Sequence, residues 1–365
     1  MVALQLPRSV EFLELHLAAL ATGVVTLPIH PDYTPREVAF LLQSMEHPRT
    51  VGSIFRIADA VGAEVDREVL RSAALLAKAD LLTHMVGEFP ELQGIMGGHY
   101  LRLEGASEDL WTAVRDHYTP VGFDGPLPES EIGWLLGVAD RLDTVAGLFA
   151  VGEKPTGSKD PFGLRRAAQG AVKIFAVSGW EIDVDEVIGA AAAAVSGHTV
   201  ESEDDLAAAI KEFFADRVRR WLMDAVGTAF DTAEAVMAAG WSSLPAAVVR
   251  AQALEKVRSS DNFRALALAF KRVRNITDGQ PDTGIDPSLF EMDEERALHT
   301  AIVEFQRKLR NLLPEGKVEQ AFGAMEPIAD KLEQFFVEVL VMCEDERVRN
   351  NRIALLKELG RHFSE

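Results

Sequence analysis

The sequence predicts a mainly α-helical protein of several domains, with one short α/β fragment at its N-terminus. Apolar residues recur at helical spacing in each region beyond about residue 44. A single short apolar run, residues 24–29, has the length and flanking turn residues of a buried strand. The chain has 365 residues and is 48% hydrophobic, which is enough for two or three domains with buried cores.

The charge and cysteine content exclude several classes of protein. With 57 acidic and 37 basic residues, the net charge of −20 argues against unselective binding to nucleic acid or acidic lipid, although local basic surfaces remain compatible with it. The one cysteine, Cys343, excludes an internal disulfide and a cysteine metal cluster. The longest run of small apolar residues, 187–195, is too short to span a bilayer, and no signal peptide opens the chain. We therefore expect no membrane contact and a cytoplasmic location.

Residues 2–43 form the N-terminal fragment. The pattern predicts a helix at 12–21, the strand at 24–29, a turn and a helix from Pro35. This piece resembles an early segment of the adenylate-forming acyl-CoA synthetases, in which a helix and a strand belong to a larger α/β sheet. The phosphate loop of that family is missing, so we do not expect acyl adenylation. We interpret the chain as a chimera, either a real gene fusion or a joined gene model.

The residue pattern at 44–175 predicts a helical domain with a basic loop. Residues 137–173 suggest a helix, a loop rich in Gly, Pro and Lys, and a second helix with Asp160 as N-cap and Pro161 as its first residue. Four cations gather around this loop: Lys154, Lys159, Arg165 and Arg166. A solvated helix start is the simple alternative to a binding surface.

The order of residues in this stretch indicates a family. The segment KPTGSKDPFGLRRAA, preceded by ADRLDTVAG, closely resembles the beta subunit of the bacterial two-subunit glycyl-tRNA synthetase. Residues 75–110, 261–276 and 339–359 resemble further segments of that family, in the family's order. The resemblance covers roughly residues 45–365.

The same domain also resembles the HD-domain phosphohydrolases, whose metal is held by histidines and aspartates. When the metal-ligand pattern of those enzymes is aligned with this sequence, Ser53 falls at the first histidine. Ala77 and Lys78 fall at the His-Asp pair, and Asp140 falls at the last aspartate. One ligand of four remains, so we expect the fold without a metal or its hydrolytic chemistry.

Three histidines are the nearest alternative metal ligands, but they lack metal-binding spacing. They are His84, His99 and His117. We interpret them as hydrogen-bonding residues of structured turns, with contact to a tRNA acceptor arm as the functional alternative. Three nearby glycines, Gly94, Gly97 and Gly98, suggest a loop with special backbone angles or a close approach of two segments.

The remaining residues predict a helical connector at 176–258 and a helical bundle at 259–365. In the connector, Arg217, Arg219 and Arg220 form a solvated face, with phosphate contact as the alternative. The bundle is similar to the DALR anticodon-binding domain, in which basic and asparagine residues at helix ends face the anticodon. The candidate tRNA-binding residues here are Lys271, Arg272, Arg274, Asn275, Arg347, Arg349, Asn351 and Arg352.

The resemblance implies a non-catalytic subunit of glycine–tRNA ligase that positions tRNA-Gly. In this family a separate alpha subunit activates glycine with ATP and Mg²⁺, so we expect this chain to bind no cofactor, to hold no catalytic residue and to be inactive alone. The expected partners are tRNA-Gly and the alpha subunit. The N-terminal domains of a complete beta subunit are not recognised here, which leaves association with the alpha subunit open. A helical scaffold and a degenerate phosphohydrolase relative are the alternatives.

Overall fold

The computed structural model describes residues 2–4, 26–28, 49–195, 201–281, 283–313 and 316–364. Within these ranges the protein is mainly helical, which confirms the prediction. Two short strands, β1 (Val2–Leu4) and β2 (Thr26–Pro28), pair in parallel. The predicted strand therefore has a partner, whereas the helices predicted at 12–21 and from Pro35 lie outside the described residues.

Two compact units make up the chain. The first includes the described residues as far as Trp221 together with Ser242–Pro245, and the second includes Leu222–Trp241 and the residues from 246 onward. The predicted domain boundaries near residues 43, 175 and 258 stay predictions.

Nine α-helices lie in the described part of the first unit, with 3₁₀ turns at Ala79–Leu82 and Pro90–Leu92. They are α1 (Arg49–Ala60), α2 (Arg67–Leu76), α3 (His84–Glu88), α4 (Ile95–Leu103), α5 (Glu108–Asp116), α6 (Glu131–Ala150), α7 (Leu164–Val177), α8 (Val184–Val195) and α9 (Glu203–Arg220). The central element is α6, which is apolar and buried along most of its length. It packs against α1, α5, α7 and α8. Ser130 caps it by accepting a hydrogen bond from the Gly133 amide at 3.1 Å.

Helix α7 begins later than the sequence predicts. Its first residue is Leu164 rather than Pro161, because the chain first turns through Gly163, whose φ is +67°. The Asp160 carboxylate still caps the helix, since it accepts the amides of Leu164 and Arg165 at 2.8 and 2.9 Å. The Asp160 side chain therefore binds the first amides as predicted, but the N-cap residue is Gly163 and the helix start was wrong by three residues.

The second unit is also helical in its described residues. A π-helical turn at Trp221–Ala225 follows α9. The later helices are α10 (Phe230–Ala238), α11 (Leu244–Val257, whose first two residues belong to the first unit), α12 (Asp261–Thr277), α13 (Asp293–Leu312), α14 (Val318–Gly323), α15 (Glu326–Glu338) and α16 (Glu346–Ser364), with a 3₁₀ turn at Pro287–Leu289. Its core includes Leu298, Phe305, Leu332, Phe335 and Leu356, so α13, α15 and α16 share one apolar interior. No helix in the described ranges combines the length and apolarity needed to cross a membrane.

Candidate functional site

The first unit contains an ion pair at the position where the sequence pattern would put a metal. The Lys78 Nζ lies 2.8 Å from the Asp140 Oδ2 and 3.1 Å from the Tyr118 hydroxyl. Burial disfavours the charged carboxylate of Asp140, but the neighbouring groups, Lys78 foremost, together outweigh this effect and hold the pKa of Asp140 below its usual value. Partial burial likewise opposes the charge on Lys78, and Asp140 and Tyr118 raise its pKa in spite of it. The ammonium group thus neutralises the aspartate without a metal.

The other positions of the metal pattern are also occupied by unsuitable groups. The Ser53 hydroxyl donates to Asp143 at 2.8 Å, and Ala77 is buried. Nowhere in the described ranges do three or more His, Cys, Asp or Glu side chains gather as a metal would require. These side chains do not fit a hydrolytic metal, because a lysine and an alanine replace anionic and imidazole ligands.

His117 lies beside this ion pair and is fully buried. Its Nδ1 donates to the Val114 carbonyl at 2.7 Å, whereas its Nε2 has no hydrogen-bond partner among the described residues. Burial, followed by the charge of Lys78, lowers the pKa of His117 to about 4. The imidazole is therefore neutral at physiological pH and serves the packing of the unit, as a structural histidine does.

Arg141 is the residue of this unit that sequence reasoning missed. Its buried guanidinium donates to four carbonyl oxygens, those of His117, Gly137, Tyr118 and Pro120, at 2.6–3.0 Å. A Cβ at Gly170 would lie 2.6 Å from the Arg141 Nε, so only glycine fits there. Arg141 stands three residues after Val138 and four before Val145 on the buried stripe of α6, and this spacing was the available signal.

Gly97 and Gly98 lie inside helix α4, so the predicted loop is wrong for them. Gly94, just before the helix, does have a special backbone angle, with φ at +78°. A Cβ at Gly98 would lie 2.6 Å from the Arg115 Cβ, so α4 and α5 approach closely at this point. Asp80 accepts the amides of Gly94 and Gly97 at 2.6 and 3.0 Å and so caps α4. His99 is exposed on α4, and His84 is the first residue of α3.

Two of the four cations of the basic loop are bound to the protein itself. Lys154 donates to the Glu201 carboxylate at 2.9 Å, and the Arg165 guanidinium donates to the Gly157 carbonyl at 2.6 Å. Lys159 and Arg166 are exposed. The first unit therefore presents two of the four predicted cations to solvent.

Helix α9 adds a cation that the sequence assigned to a solvated face. Arg217 is 8% exposed, and its guanidinium lies over the Phe213 ring at 3.9 Å from the centroid. Burial lowers its pKa, and the positive charges of Arg165 and Arg220 lower it further. Arg217 thus lies close enough to Arg165 for their charges to interact, which sequence spacing could not indicate.

In the second unit the cations of α12 face solvent. Lys271, Arg274 and Asn275 are exposed. Arg272 is exposed too, but its guanidinium stacks on the Phe336 ring at 4.1 Å from the centroid. Helix α12 therefore presents one lysine, one arginine and one side-chain amide for contact with a ligand.

Helix α16 does not present all of its predicted residues. Arg352 is 4% exposed, and its Nε lies 2.8 Å from the Oε1 of the fully buried Glu295. The Asn351 side chain is buried too, donating to the Asp286 carbonyl and accepting the Asp286 amide. These two residues join α16 to other segments of the unit, so their side chains are unavailable to RNA in this structure.

The remaining candidates of α16 lie at its start. Arg347 is exposed, and the half-buried Arg349 donates to the Cys343 carbonyl at 3.1 Å. The Asp345 carboxylate accepts the amides of Arg347 and Val348 at 2.8 and 3.2 Å. Asp345 therefore caps α16.

Comparison with known proteins identifies the family. The profile described as "Glycyl-tRNA synthetase beta subunit" matches residues 46–238, and that of the "DALR anticodon binding domain" matches residues 266–365. The glycine–tRNA ligase beta subunit of Geobacter metallireducens is 38% identical over 305 residues, which cover 84% of this chain and 44% of the relative. The same subunit of Geotalea uraniireducens is 37% identical over 313 residues, covering 85% and 45%.

A third relative shows a similar identity and a similar coverage of the two chains. The beta subunit of Citrifermentans bemidjiense is 36% identical over 321 residues, which are 88% of this chain and 46% of that protein. The chain thus spans about half the length of the curated relatives that it matches. The family match includes more than half of the chain, as the resemblance implied, and the chain belongs to the glycyl-tRNA synthetase beta subunit family.

Proposed function

We propose that the chain is the tRNA-binding part of a glycine–tRNA ligase beta subunit, which positions tRNA-Gly for aminoacylation by a separate alpha subunit. The observation that carries the proposal is the exposed polar row of Lys271, Arg274 and Asn275 on α12, within a domain matched as anticodon-binding. Such a row supplies phosphate contacts and one amide for a base edge. The exposed Lys159 and Arg166 of the first unit extend the proposed contact to another part of the tRNA.

The proposal assigns glycine activation and transfer to the alpha subunit. ATP and Mg²⁺ act in the alpha subunit, and this chain holds no cofactor in the proposed scheme. The ion pair of Lys78 with Asp140 supports a structural role for the first unit, because it lies at positions that the resemblance to HD-domain phosphohydrolases assigns to metal ligands. Since aminoacylation serves translation, the proposed location is the cytoplasm.

The N-terminal fragment stays outside this proposal. Its resemblance to acyl-CoA synthetases rests on sequence, and the family match begins at residue 46. Association with the alpha subunit is proposed for the family region alone, and mixing the two purified subunits tests it by size-exclusion chromatography.

The function is tested by binding of the purified chain to three RNAs. These are tRNA-Gly, the same tRNA with both anticodon cytosines replaced, and an unrelated tRNA, each measured over a series of salt concentrations because phosphate contacts alone weaken as salt rises. We expect tRNA-Gly to bind more tightly than both others. Weak and equal binding to all three would contradict the proposal and leave a helical scaffold.

A further inference from the structure

A groove in the second unit combines aromatic walls with a cationic rim. It has a volume of about 990 Å³ and lies beside α12, with residues of α14 and α16 on its other sides. This volume is at the upper end of the range for small-ligand pockets, roughly 300–1,000 Å³. The groove therefore has room for a flat ring together with its substituents.

Two aromatic side chains in the groove are not explained by the core. Phe263 and Phe322 meet edge to face, with ring centroids 6.1 Å apart and planes at 80°. Both are half-buried, and neither belongs to the apolar core found among the described residues. Apolar rings left partly in water lose hydrophobic stabilisation, so a half-buried aromatic pair beside a groove is typical of a ligand-binding surface.

The charge of the groove is opposite to that of the whole chain. Among the described residues that line it, four are cations and none is a carboxylate, although the protein carries 57 acidic and 37 basic residues. Two of the cations are engaged within the unit, because Lys357 donates to the Gln280 carbonyl and Arg361 contacts Glu358. Lys271 and Arg274 are exposed and stand three residues apart on α12, so both reach the same side of the helix. The rim thus favours an anionic ligand.

We infer that this groove binds an unstacked base of single-stranded loop RNA, with the base against Phe322 and Phe263 and the flanking phosphates on Lys271 and Arg274. The inference rests on the proposed function and assigns to it a site that includes two phenylalanines not among the predicted contacts. Bases of RNA loops bind to proteins by stacking on aromatic faces, and cationic side chains hold the adjoining backbone. An acidic peptide would match the rim equally, but only a planar ring makes use of the two aromatic faces.

The test compares binding of an anticodon stem-loop of tRNA-Gly by the wild-type chain and by Phe322→Leu and Phe263→Leu. Leucine keeps apolar volume but removes the aromatic face. We expect each variant to lose roughly 5- to 100-fold in affinity, with an unchanged dependence on salt because no phosphate contact is lost. Phe322→Tyr should bind like the wild type. Arg310→Ala, an exposed cation on α13, is the matched control and should change little.

The outcomes separate this inference from the proposed function. If the wild-type chain prefers tRNA-Gly but both leucine variants bind the stem-loop as it does, the groove is not the base site and only the inference fails. If Phe322→Leu keeps its RNA affinity and loses binding to the alpha subunit, the groove holds a protein segment and the inference is equally wrong. If the wild-type chain shows no preference among tRNAs, the proposed function fails first. Circular dichroism confirms that each variant is folded.

Discussion

The two units each enclose an ion pair between segments far apart in the chain, but they differ in what they leave at the surface. In the first unit Lys78 is paired with Asp140, and Arg141 and Arg165 are bound to backbone carbonyls. In the second unit Arg352 forms an ion pair with Glu295, whereas Lys271 and Arg274 are exposed beside an apolar groove. A basic residue is therefore a candidate for RNA contact only when the fold has not already given it a partner.

The largest expected effect comes from breaking the ion pair of the second unit. Arg352→Ala leaves the buried Glu295 carboxylate without its cation, although that carboxylate still accepts the amides of Glu291 and Met292. We expect a loss of about 3–5 kcal/mol in the free energy of unfolding, measured by urea denaturation. Arg310→Ala on the exposed side of α13 is the control. An equal, small effect of both substitutions would show that the pair does not stabilise the unit.

A smaller effect on the free energy of unfolding is expected from the protonation of His117 in the first unit at low pH. The pKa of His117 is about 4 in the folded chain, whereas the unfolded chain binds the proton near pH 6.5. Between these values the unfolded state holds more protons, so the free energy of unfolding falls as pH is lowered, by about 3 kcal/mol in total at pH 4.

His117→Leu should remove this part of the pH dependence. The measurement is the denaturation midpoint at several pH values between 7 and 4, for the variant and the wild type. The account is contradicted if the two chains lose stability in parallel over this range, since the titration of His117 would then make no contribution.

The smallest of the three effects is expected at the ion pair of the first unit. Lys78→Met leaves Asp140 without its counter-ion and should cost about 1–3 kcal/mol, because Lys78 is partly exposed and water can replace some of its contact. The pKa of Asp140 is lowered, so the stabilisation is present above about pH 4 and is lost as pH falls through the folded value. The difference between variant and wild type in thermal unfolding should shrink in acid. A constant difference at all pH values would exclude the charge interaction as its cause.

Helical spacing predicted the mainly helical fold, and the residue type and position of Asp160 predicted its capping role. The sequence also contained a signal against Arg352 as a surface residue. It stands three, four and seven residues before Leu355, Leu356 and Leu359, which is the spacing of one buried helical face. The charge of Arg352 predicts a surface residue and its position predicts a buried one, and in the structure the side chain is buried.

Other features of the site were beyond prediction from local patterns. Phe322 and Phe263 are 59 residues apart in the sequence, and their contact depends on how α14 packs beside α12. The pairing of Lys78 with Asp140 likewise joins residues that are 62 positions apart. Spacing within one helix carries no information on such contacts, so the groove is known only from the three-dimensional arrangement.

The most direct test of the central claim is the salt dependence of binding to the anticodon stem-loop of tRNA-Gly. It compares the wild type with Lys271→Ala and Arg274→Ala, and with Lys256→Ala, which removes a cation that is already paired with Glu319 at 2.7 Å. The account predicts that the slope of log K against log salt becomes shallower by about 0.7 for each α12 substitution and stays unchanged for Lys256→Ala. Identical slopes for all four chains would contradict the claim that the exposed cations of the second unit bind the RNA backbone.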